Sequence, residues 1–333
     1  MRNTFKSTVL AATVLTGLMA ISPGAKANIF APGDFVVDIN YNGGSGLEAY
    51  SVSSNGQISR LFGISLPSLI SAMASTSTEI IYNSESYGSG VYAMNQSGVS
   101  TQIATVTGTV SGIQTDANNN IFVSSYSSGY GINPTELSST GAVLSTKSFS
   151  MPSAGNVTTG PGTFATLSSN ESTLYVHNNG NVYGINTSTG AATELYAYSP
   201  SQGSPMVVLP NGNLLFSNSA NEIQLNPNTG TVVSSTALLN GADSGLAVDT
   251  SNSFVYGANE SSTMITYAPV SNLSSVSTFN TVNAVTYGAT VFGQYTLDSQ
   301  TPAPEPASAV LLVGMLGMLA AAKYRRGKFP SAT

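Results

Sequence analysis

Residues 206–216 read MVVLPNGNLLF, in which two apolar runs, Met206–Pro210 and Leu214–Phe216, flank an Asn-Gly turn. Asn and Gly accept the positive backbone φ angles that a tight turn between antiparallel strands requires. This stretch therefore predicts two short β-strands joined by a hairpin turn.

The apolar run that follows this turn recurs along the chain. Its central residue returns after 45, 41, 53, 40 and 40 residues, and a polar turn precedes most of the copies. The six copies are Phe35-Val36-Val37, Ile80-Ile81-Tyr82, Ile121-Phe122-Val123, Leu174-Tyr175-Val176, Leu214-Leu215-Phe216 and Phe254-Val255-Tyr256. Such regular self-similarity is the sequence signature of a repeat architecture.

A second turn, which ends in Gly, recurs alongside the first, and its Gly returns after 42, 43, 49 and 40 residues. In each unit it separates a strand-like piece, such as Glu222–Asn226, from a Thr/Val-rich piece, such as Thr231–Leu239. Further apolar pieces precede the triplets, at Val110–Asp116, Thr163–Ser168, Met206–Pro210 and Gly245–Asp249. Four short strands every forty-odd residues is the period of a β-propeller blade.

The two ends of the repeat predict a closed ring of six blades. The first unit begins at Asp34 without an inner strand, and a spare strand, Gly288–Tyr295, follows the sixth unit. Pairing of Gly288–Tyr295 with Asp34–Ile39 would complete the first blade and remove exposed sheet edges. A seventh blade would need a unit hidden in Met151–Gly162, and a β-solenoid or a sandwich is the other alternative.

Composition excludes several functions for residues 28–300, the predicted propeller domain. Two basic residues stand there against fourteen acidic ones, a net charge of −12. Nucleic-acid binding needs clustered Lys and Arg, so it is not expected.

The chain has no Cys, and its one His, His177, follows a strand with no catalytic motif near it. Five tyrosines are candidates for stacking on sugar rings or for half-buried strand positions: Tyr82, Tyr87, Tyr92, Tyr126 and Tyr130.

The first 27 residues are typical of a secretory signal peptide with its apolar helix. Arg2 and Lys6 precede an uncharged apolar run, and Ala25 and Ala27 supply the small residues that signal peptidase needs at the cleavage site. Cleavage after Ala27 is therefore expected.

The C-terminal end is organised as a spacer, a helix and a basic tail. Residues 301–306 are Pro-rich, and residues 307–322 are uncharged and mostly apolar, which predicts a transmembrane helix of ~24 Å. The tail, residues 323–333, should stay cytoplasmic because of its basic cluster. That cluster consists of Lys323, Arg325, Arg326 and Lys328.

This tail resembles the PEP-CTERM sorting signal of Gram-negative bacteria, with Pro304, Glu305 and Pro306 as its motif. The resemblance implies recognition by the membrane protease exosortase and export to the cell envelope or the extracellular polysaccharide of a biofilm. Two details depart from the pattern: Ala303 stands where Val is common, and five residues follow Lys328. A plain membrane anchor is the alternative.

Two of the repeats, at Ser111–Ser124 and Gly245–Gly257, resemble those of NHL and gluconolactonase-type propellers. Gluconolactonase-like propellers hold a divalent cation at the ring centre, which would make Asp116 and Asp249 candidate Ca²⁺ ligands. Capping of their own hairpin turns is the other interpretation of these two residues.

Together these features predict an exported surface or matrix protein. Its propeller is expected to be a binding or structural module for polysaccharide or an envelope protein, without enzymatic activity or cofactor. A metal-dependent hydrolase or lactonase that acts at the propeller centre is the alternative.

Overall fold

The computed structural model describes residues 28–41, 44–52, 58–66, 70, 72–84, 88–127, 131–150, 164–178, 180–197, 205–217, 221–236, 245–249, 253–258, 262–283, 285–295 and 297. These residues form β-strands and turns, with no helix among them. Accordingly, no helix in these ranges is long and apolar enough to cross a membrane. The predicted signal helix, the transmembrane helix and the basic tail lie outside these ranges.

The described residues form twenty-five strands. The first twelve are β1 (Phe35–Tyr41), β2 (Gly44–Val52), β3 (Ile58–Leu66), β4 (Met73–Ser75), β5 (Glu79–Asn83), β6 (Gly90–Asn95), β7 (Ser100–Thr105), β8 (Thr109–Thr115), β9 (Ile121–Ser127), β10 (Gly131–Leu137), β11 (Val143–Thr146) and β12 (Phe149–Ser150). The others are β13 (Phe164–Leu167), β14 (Thr173–Asn178), β15 (Asn181–Asn186), β16 (Ala192–Ala197), β17 (Met206–Val208), β18 (Leu214–Ser217), β19 (Glu222–Asn226), β20 (Thr231–Thr236), β21 (Gly245–Val248), β22 (Phe254–Ala258), β23 (Met264–Pro269), β24 (Ser277–Asn280) and β25 (Val285–Val291).

The strands form six antiparallel sheets, the blades of a β-propeller. Blades 2, 4, 5 and 6 are β4–β7, β13–β16, β17–β20 and β21–β24, each paired in chain order. Blade 3 is β8–β11, and the short strand β12 also pairs with β10, next to β11. The prediction of four-stranded blades is confirmed, and the six apolar triplets are the second strands of blades 2 to 6 and β1 of blade 1.

Blade 1 closes the ring by combining the two ends of the domain. Its order is β25-β1-β2-β3, with Phe35 opposite Val291 and Val37 opposite Ala289. Closure by a C-terminal strand is therefore confirmed. The predicted bounds, Gly288–Tyr295, were set too late, because the chain turns away after Val291 through Gly293, whose φ is +78°.

The number of blades follows from the contacts of the inner strands. These contact one another in the ring order β25, β4, β8, β13, β17, β21 and back to β25. Because β8 and β13 are direct neighbours, no blade is inserted between blades 3 and 4. The six-bladed prediction is thus confirmed over seven blades, a solenoid or a sandwich, although Met151–Gly162 itself lies outside the described residues.

The hydrophobic core is distributed between adjacent blades. Between blades 6 and 1, for example, Phe35 stacks on Tyr256 with ring centroids 4.9 Å apart, and Phe279 meets Phe35 edge-on at 6.0 Å. Corresponding clusters of Ile, Val, Leu and aromatic residues fill the other interfaces. Side chains that alternate along twisted strands thereby bury both faces of every blade.

A buried carboxylate reinforces the closure. Glu48 on β2 is 0% exposed and accepts hydrogen bonds from Arg60 Nη2 at 3.0 Å, Asn283 Nδ2 at 2.8 Å, the Val282 backbone N–H at 3.2 Å and the Tyr50 hydroxyl. Burial and the bond to Glu48 raise the pKa of Tyr50 above its ordinary value. The network ties β2 and β3 to the turn that leads into β25.

Candidate functional site: the central cavity

The inner strands of all six blades surround a cavity of about 390 Å³. One residue per blade illustrates its lining: Ala74, Ile113, Thr166, Val207, Ala247 and Thr290. A cavity of this size lies at the lower end of the ~300–1,000 Å³ typical of small-molecule sites.

The described residues that line this cavity include no Asp, Glu, His, Lys or Arg. Hydroxyl groups such as those of Thr166 and Thr290 stand among Ala, Val, Ile and Met side chains. The Gln114 amide is already paired, since its Nε2 donates to the Leu167 carbonyl at 3.1 Å and its Oε1 accepts from the Leu167 N–H. This lining suits an uncharged ligand that has both hydroxyl and apolar surface.

Two glycines allow the inner strands to approach closely around the cavity. A Cβ atom on Gly112 would lie 2.1 Å from the Ala165 carbonyl oxygen of the next blade. A Cβ atom on Gly245 would lie 2.9 Å from Ala289 Cβ. Real Cβ atoms do not approach so closely, so these positions require Gly.

Side-chain hydrogen bonds join neighbouring blades where the inner strands end. The Ser75 hydroxyl donates to the Val291 carbonyl at 2.9 Å, which joins blade 2 to blade 1. The Thr115 hydroxyl donates to the Ser75 carbonyl, which joins blade 3 to blade 2. Both bonds lie at the same end of the cavity.

The chain after β25 runs along this end of the cavity. We name residues 292–297 the C-terminal arm. The Ser75 hydroxyl is 3.4 Å from the Gln294 carbonyl of the arm, and the Leu297 N–H donates to the Thr115 carbonyl at 3.3 Å. Leu297 forms a parallel bridge with Asp116, and its side chain is 4% exposed in the cluster between blades 3 and 4. The arm thus runs from blade 1 past blade 2 to blade 3, and it lines the cavity.

Sequence reasoning missed the arm. Leu297 is the one large aliphatic residue in the polar stretch 293–300, and a single apolar residue has no periodicity from which a contact can be predicted.

The two predicted metal-ligand candidates cap turns. Asp116 is 1% exposed, and its Oδ1 accepts the backbone N–H groups of Asn118 at 2.9 Å and Asn120 at 2.8 Å. Asp249 Oδ1 accepts the N–H groups of Ser253 at 2.6 Å and Phe254 at 2.9 Å.

Asp116 and Asp249 follow the inner strands of blades 3 and 6, on opposite sides of the ring. Within the described part of the chain, no three His, Asp or Glu residues come together as a metal site would require. The donor set around the cavity therefore does not fit the Ca²⁺ that the gluconolactonase resemblance implies.

His177 lies on β14, 0% exposed, with its ring centroid 5.2 Å from that of Phe216. It packs between blades 4 and 5 and does not line the cavity. Its position is that of a core residue.

The described tyrosines of the sugar-stacking hypothesis are partly or fully buried. Tyr82 is 1% exposed and stacks on Tyr92, with ring centroids 5.6 Å apart. Tyr126 is half-buried against the cluster between blades 3 and 4. Tyr82 therefore has no free face for a sugar, and Tyr87 and Tyr130 lie outside the described residues.

Several predicted sites also lie outside the described residues. They are the cleavage-site residues Ala25 and Ala27, the motif Pro304, Glu305 and Pro306, and the basic cluster Lys323, Arg325, Arg326 and Lys328.

The fold and its central cavity define a six-bladed β-propeller. No family model and no curated protein matches the sequence. Among solved structures, a protein of unknown function from Bacteroides caccae is similar with a TM-score of 0.53 and 15% identity, over 78% of this chain and 98% of its own.

Two further solved structures are similar at low identity. A chain of the nidogen/laminin complex gives a TM-score of 0.56 and 14% identity, over 79% of this chain and all (100%) of its own. TolB from Acinetobacter baumannii gives 0.54 and 12%, over 78% of this chain and 66% of its own. Such low identities establish the shared fold alone.

Proposed function

We propose that this protein is an exported component of the cell surface or biofilm matrix of a Gram-negative bacterium, and that its propeller binds an uncharged matrix component. The observation that carries the binding role is the central cavity, whose described lining offers hydroxyl and apolar groups and no Asp, Glu, His, Lys or Arg. A hydrolytic site needs positioned acids, bases or metal ligands, so this lining favours binding over hydrolysis.

The charge of the domain supports an uncharged partner. A body with a net charge of −12 repels polyanions such as uronic-acid polymers, and it has only Arg60 and Lys147 to attract them. A neutral polysaccharide meets no such repulsion. It also matches the mixture of hydroxyl and apolar groups around the cavity.

The proposed destination rests on the two ends of the sequence. The basic, apolar and small-residue order of residues 1–27 supports export through signal peptidase. Pro304, Glu305 and Pro306, followed by an apolar stretch and a basic cluster, support transient anchoring in the inner membrane and processing by exosortase.

The sorting proposal is tested in a Gram-negative host that has an exosortase. Replacement of Pro304, Glu305 and Pro306 by Ala should leave the full-length protein in the inner-membrane fraction, whereas the unaltered protein should appear shortened in the matrix. Ala303→Val, next to the motif, is the matched control and should be processed normally. Normal processing of the triple-Ala variant would refute the role of the motif.

The binding proposal is tested with the purified full chain in detergent. Retention on an immobilised neutral polysaccharide, saturable and unaffected by EDTA, is expected. If Ca²⁺ were required, or if a lactone or ester were hydrolysed, the hydrolase alternative would replace the binding role.

A further inference from the structure

We infer that Phe164 and Tyr295 hold the ligand of the central cavity by stacking on the C–H faces of its sugar rings, and that this ligand is a neutral saccharide. The inference rests on the proposed binding function and names the residues that recognise the ligand. It follows from the surroundings of the two aromatic rings, from their place around the cavity and from the hydroxyl groups beside them.

Phe164 and Tyr295 differ from the other half-buried aromatic residues that the structure describes. All the others pack against the hydrophobic clusters between blades, and they are Phe62, Tyr92, Tyr126, Tyr196, Phe254, Tyr267 and Phe279. Phe164 and Tyr295 belong to none of the six clusters, and they are the two aromatic residues in the described lining of the cavity. Because the core does not use these two rings, they are available to a ligand.

The two side chains also lack the partners that fix an aromatic residue of the core. Within the described residues, neither ring contacts another aromatic ring, and the Tyr295 hydroxyl has no hydrogen-bond partner. Tyr82 shows the contrast, since its ring stacks on Tyr92 at 5.6 Å and its hydroxyl donates to Ser100 Oγ at 2.9 Å. The Tyr295 side chain can therefore offer both a ring face and a hydroxyl group to a ligand.

The fold holds the two residues on separate segments around the cavity. Phe164 begins β13, the first strand of blade 4. Tyr295 lies in the C-terminal arm between Gln294, whose carbonyl is 3.4 Å from a hydroxyl group of blade 2, and Leu297, whose N–H donates to blade 3 at 3.3 Å. Each ring can therefore contact a different part of one ligand.

Two threonine hydroxyl groups add polar contacts to the same cavity. Thr166 lines it from blade 4 and Thr290 from blade 1. Neither hydroxyl group has a hydrogen-bond partner among the described residues. A wholly apolar ligand would bury these groups unpaired, at a cost in free energy, whereas a sugar hydroxyl can pair with them.

A pyranose ring matches both kinds of group, since it presents C–H groups on its faces and hydroxyl groups at its rim. The faces of Phe and Tyr rings carry partial negative charge, which attracts the weakly positive C–H groups. A uronic acid would find no Lys or Arg in the described lining, and it would be repelled by a body with a net charge of −12. These features favour a neutral saccharide.

The binding experiment compares variants of the purified full chain that remove an aromatic ring with variants that keep it. Dextran, galactomannan and xyloglucan are the neutral probes, and alginate is the anionic comparison. Tyr295→Leu and Phe164→Leu should each weaken binding of a neutral polymer about tenfold, because Leu is apolar but has no flat ring. Tyr295→Phe and Phe164→Tyr keep the ring and should bind within about threefold of the unaltered protein.

Tyr92→Leu is the matched control, because Tyr92 is half-buried but does not line the cavity. It should leave binding unchanged. Every variant is first checked for a cooperative thermal transition, so that a loss of binding is not a loss of the fold.

A spectroscopic measurement follows the aromatic residues directly. The chain has 16 Tyr and no Trp, so its near-ultraviolet difference spectrum on ligand binding reports on tyrosine. Tyr295→Phe should still bind but lose most of this spectrum, and Phe164→Tyr should enlarge it. These two variants decide the roles of both residues even if a Leu variant does not fold.

The outcomes separate this inference from the proposed function. A neutral polymer that binds the unaltered protein and either Leu variant equally well overturns the stacking by both residues and leaves a binding propeller. An unchanged difference spectrum for Tyr295→Phe overturns it as well. Preferential binding of alginate overturns the neutral ligand. Absence of binding to every polysaccharide overturns both the inference and the proposed binding function.

Discussion

Replacement of Glu48 by Ala is expected to loosen the closure of the ring. Glu48 is 0% exposed and accepts four hydrogen bonds, two of them from the turn that precedes β25. Breaking a buried ion pair by removing one partner costs ~3–5 kcal/mol. Because Arg60 is 36% exposed and can be solvated, we expect a loss at the lower end, about 3 kcal/mol. In a domain of this size that loss lowers the melting temperature by roughly 6–9 °C.

The assay is thermal and urea unfolding of the full chain in detergent, with Arg60→Ala as the matched variant. Arg60→Ala leaves the Glu48 carboxylate buried with the bonds from Tyr50, Val282 and Asn283 but without a counter-charge, so we expect a loss of similar size, about 3 kcal/mol. Glu48→Gln, which keeps the shape of the side chain, should lose less than Glu48→Ala. A loss below about 1 kcal/mol for Glu48→Ala would refute the view that this network secures the closure.

Three other predictions concern the inner strands, the turns and pH. Gly112→Ala should destabilise the fold by about 1–3 kcal/mol, because its Cβ would lie 2.1 Å from a backbone oxygen. A Cβ on Gly184, also within a strand, would meet only side chains, those of Leu195 at 3.2 Å and Thr173 at 3.4 Å, so Gly184→Ala should change stability by less than about 1 kcal/mol. Equal losses for the two variants in chemical unfolding would contradict this. Asp116→Ala should lower the free energy of unfolding by about 1–2 kcal/mol, because the hydrogen bonds to the turn are lost. For the unmutated protein, 5 mM Ca²⁺ or EDTA should leave the melting temperature unchanged. A specific site at ~100 times its Kd would add about 2.7 kcal/mol and would be visible as a shift. Burial raises the pKa of three carboxyl groups above the ordinary values of 3.8 (Asp) and 4.5 (Glu). Between the ordinary and the raised pKa values, the folded state therefore keeps protons that the unfolded chain has lost. The free energy of unfolding should fall as the pH rises through this window. The groups are Asp34, Glu79 and Glu171. Their joint replacement by the corresponding amides should flatten this part of the stability–pH curve, and an unchanged curve would argue against it.

The architecture could be predicted because each blade repeats the same local chemistry. The third strand Glu222–Asn226 of blade 5 has the bounds that its pattern predicts, and the third strand of blade 4, Asn181–Asn186, ends at the same kind of polar turn. The Gly that follows such a strand adopts positive φ, +73° at Gly190 and +66° at Gly230. Local turn chemistry therefore determines where these strands end.

The short inner strand of blade 2, Met73–Ser75, had no comparable signal. It has three residues and contains no β-branched or aromatic side chain. Its strand conformation depends on pairing with β5 and on contacts with β8 and β25. Such long-range contacts override local propensity, which explains why this strand was not predicted.

The candidate site is also a product of long-range assembly. Each blade contributes three to six residues to the cavity, most of them small or apolar, and within their own strands these residues look like any core position. The sequence offered two interpretations of Asp116 and Asp249, as metal ligands or as caps of their own hairpin turns. Their Oδ1 atoms accept backbone N–H groups of the adjacent turns, as capping predicts. A cavity that lacks charged groups has no motif in the sequence, so only the closed ring reveals it.

Three buried carboxylates lie close to the segments by which the chain closes the ring. Asp34 Oδ2 accepts the Ala31 N–H at 2.6 Å just before β1, Glu48 holds the turn before β25, and Asp116 lies beside Leu297 of the C-terminal arm. A chain without Cys has no disulfide to join its ends, and closure in a propeller depends on interactions far apart in sequence. Charge-assisted hydrogen bonds in buried surroundings are among the strongest interactions available for this purpose. In a protein with only 7% charged residues, the buried Glu48 carboxylate is the one of the three whose side chain bonds a closing segment directly, and the described lining of the cavity contains no Asp, Glu, Lys, Arg or His.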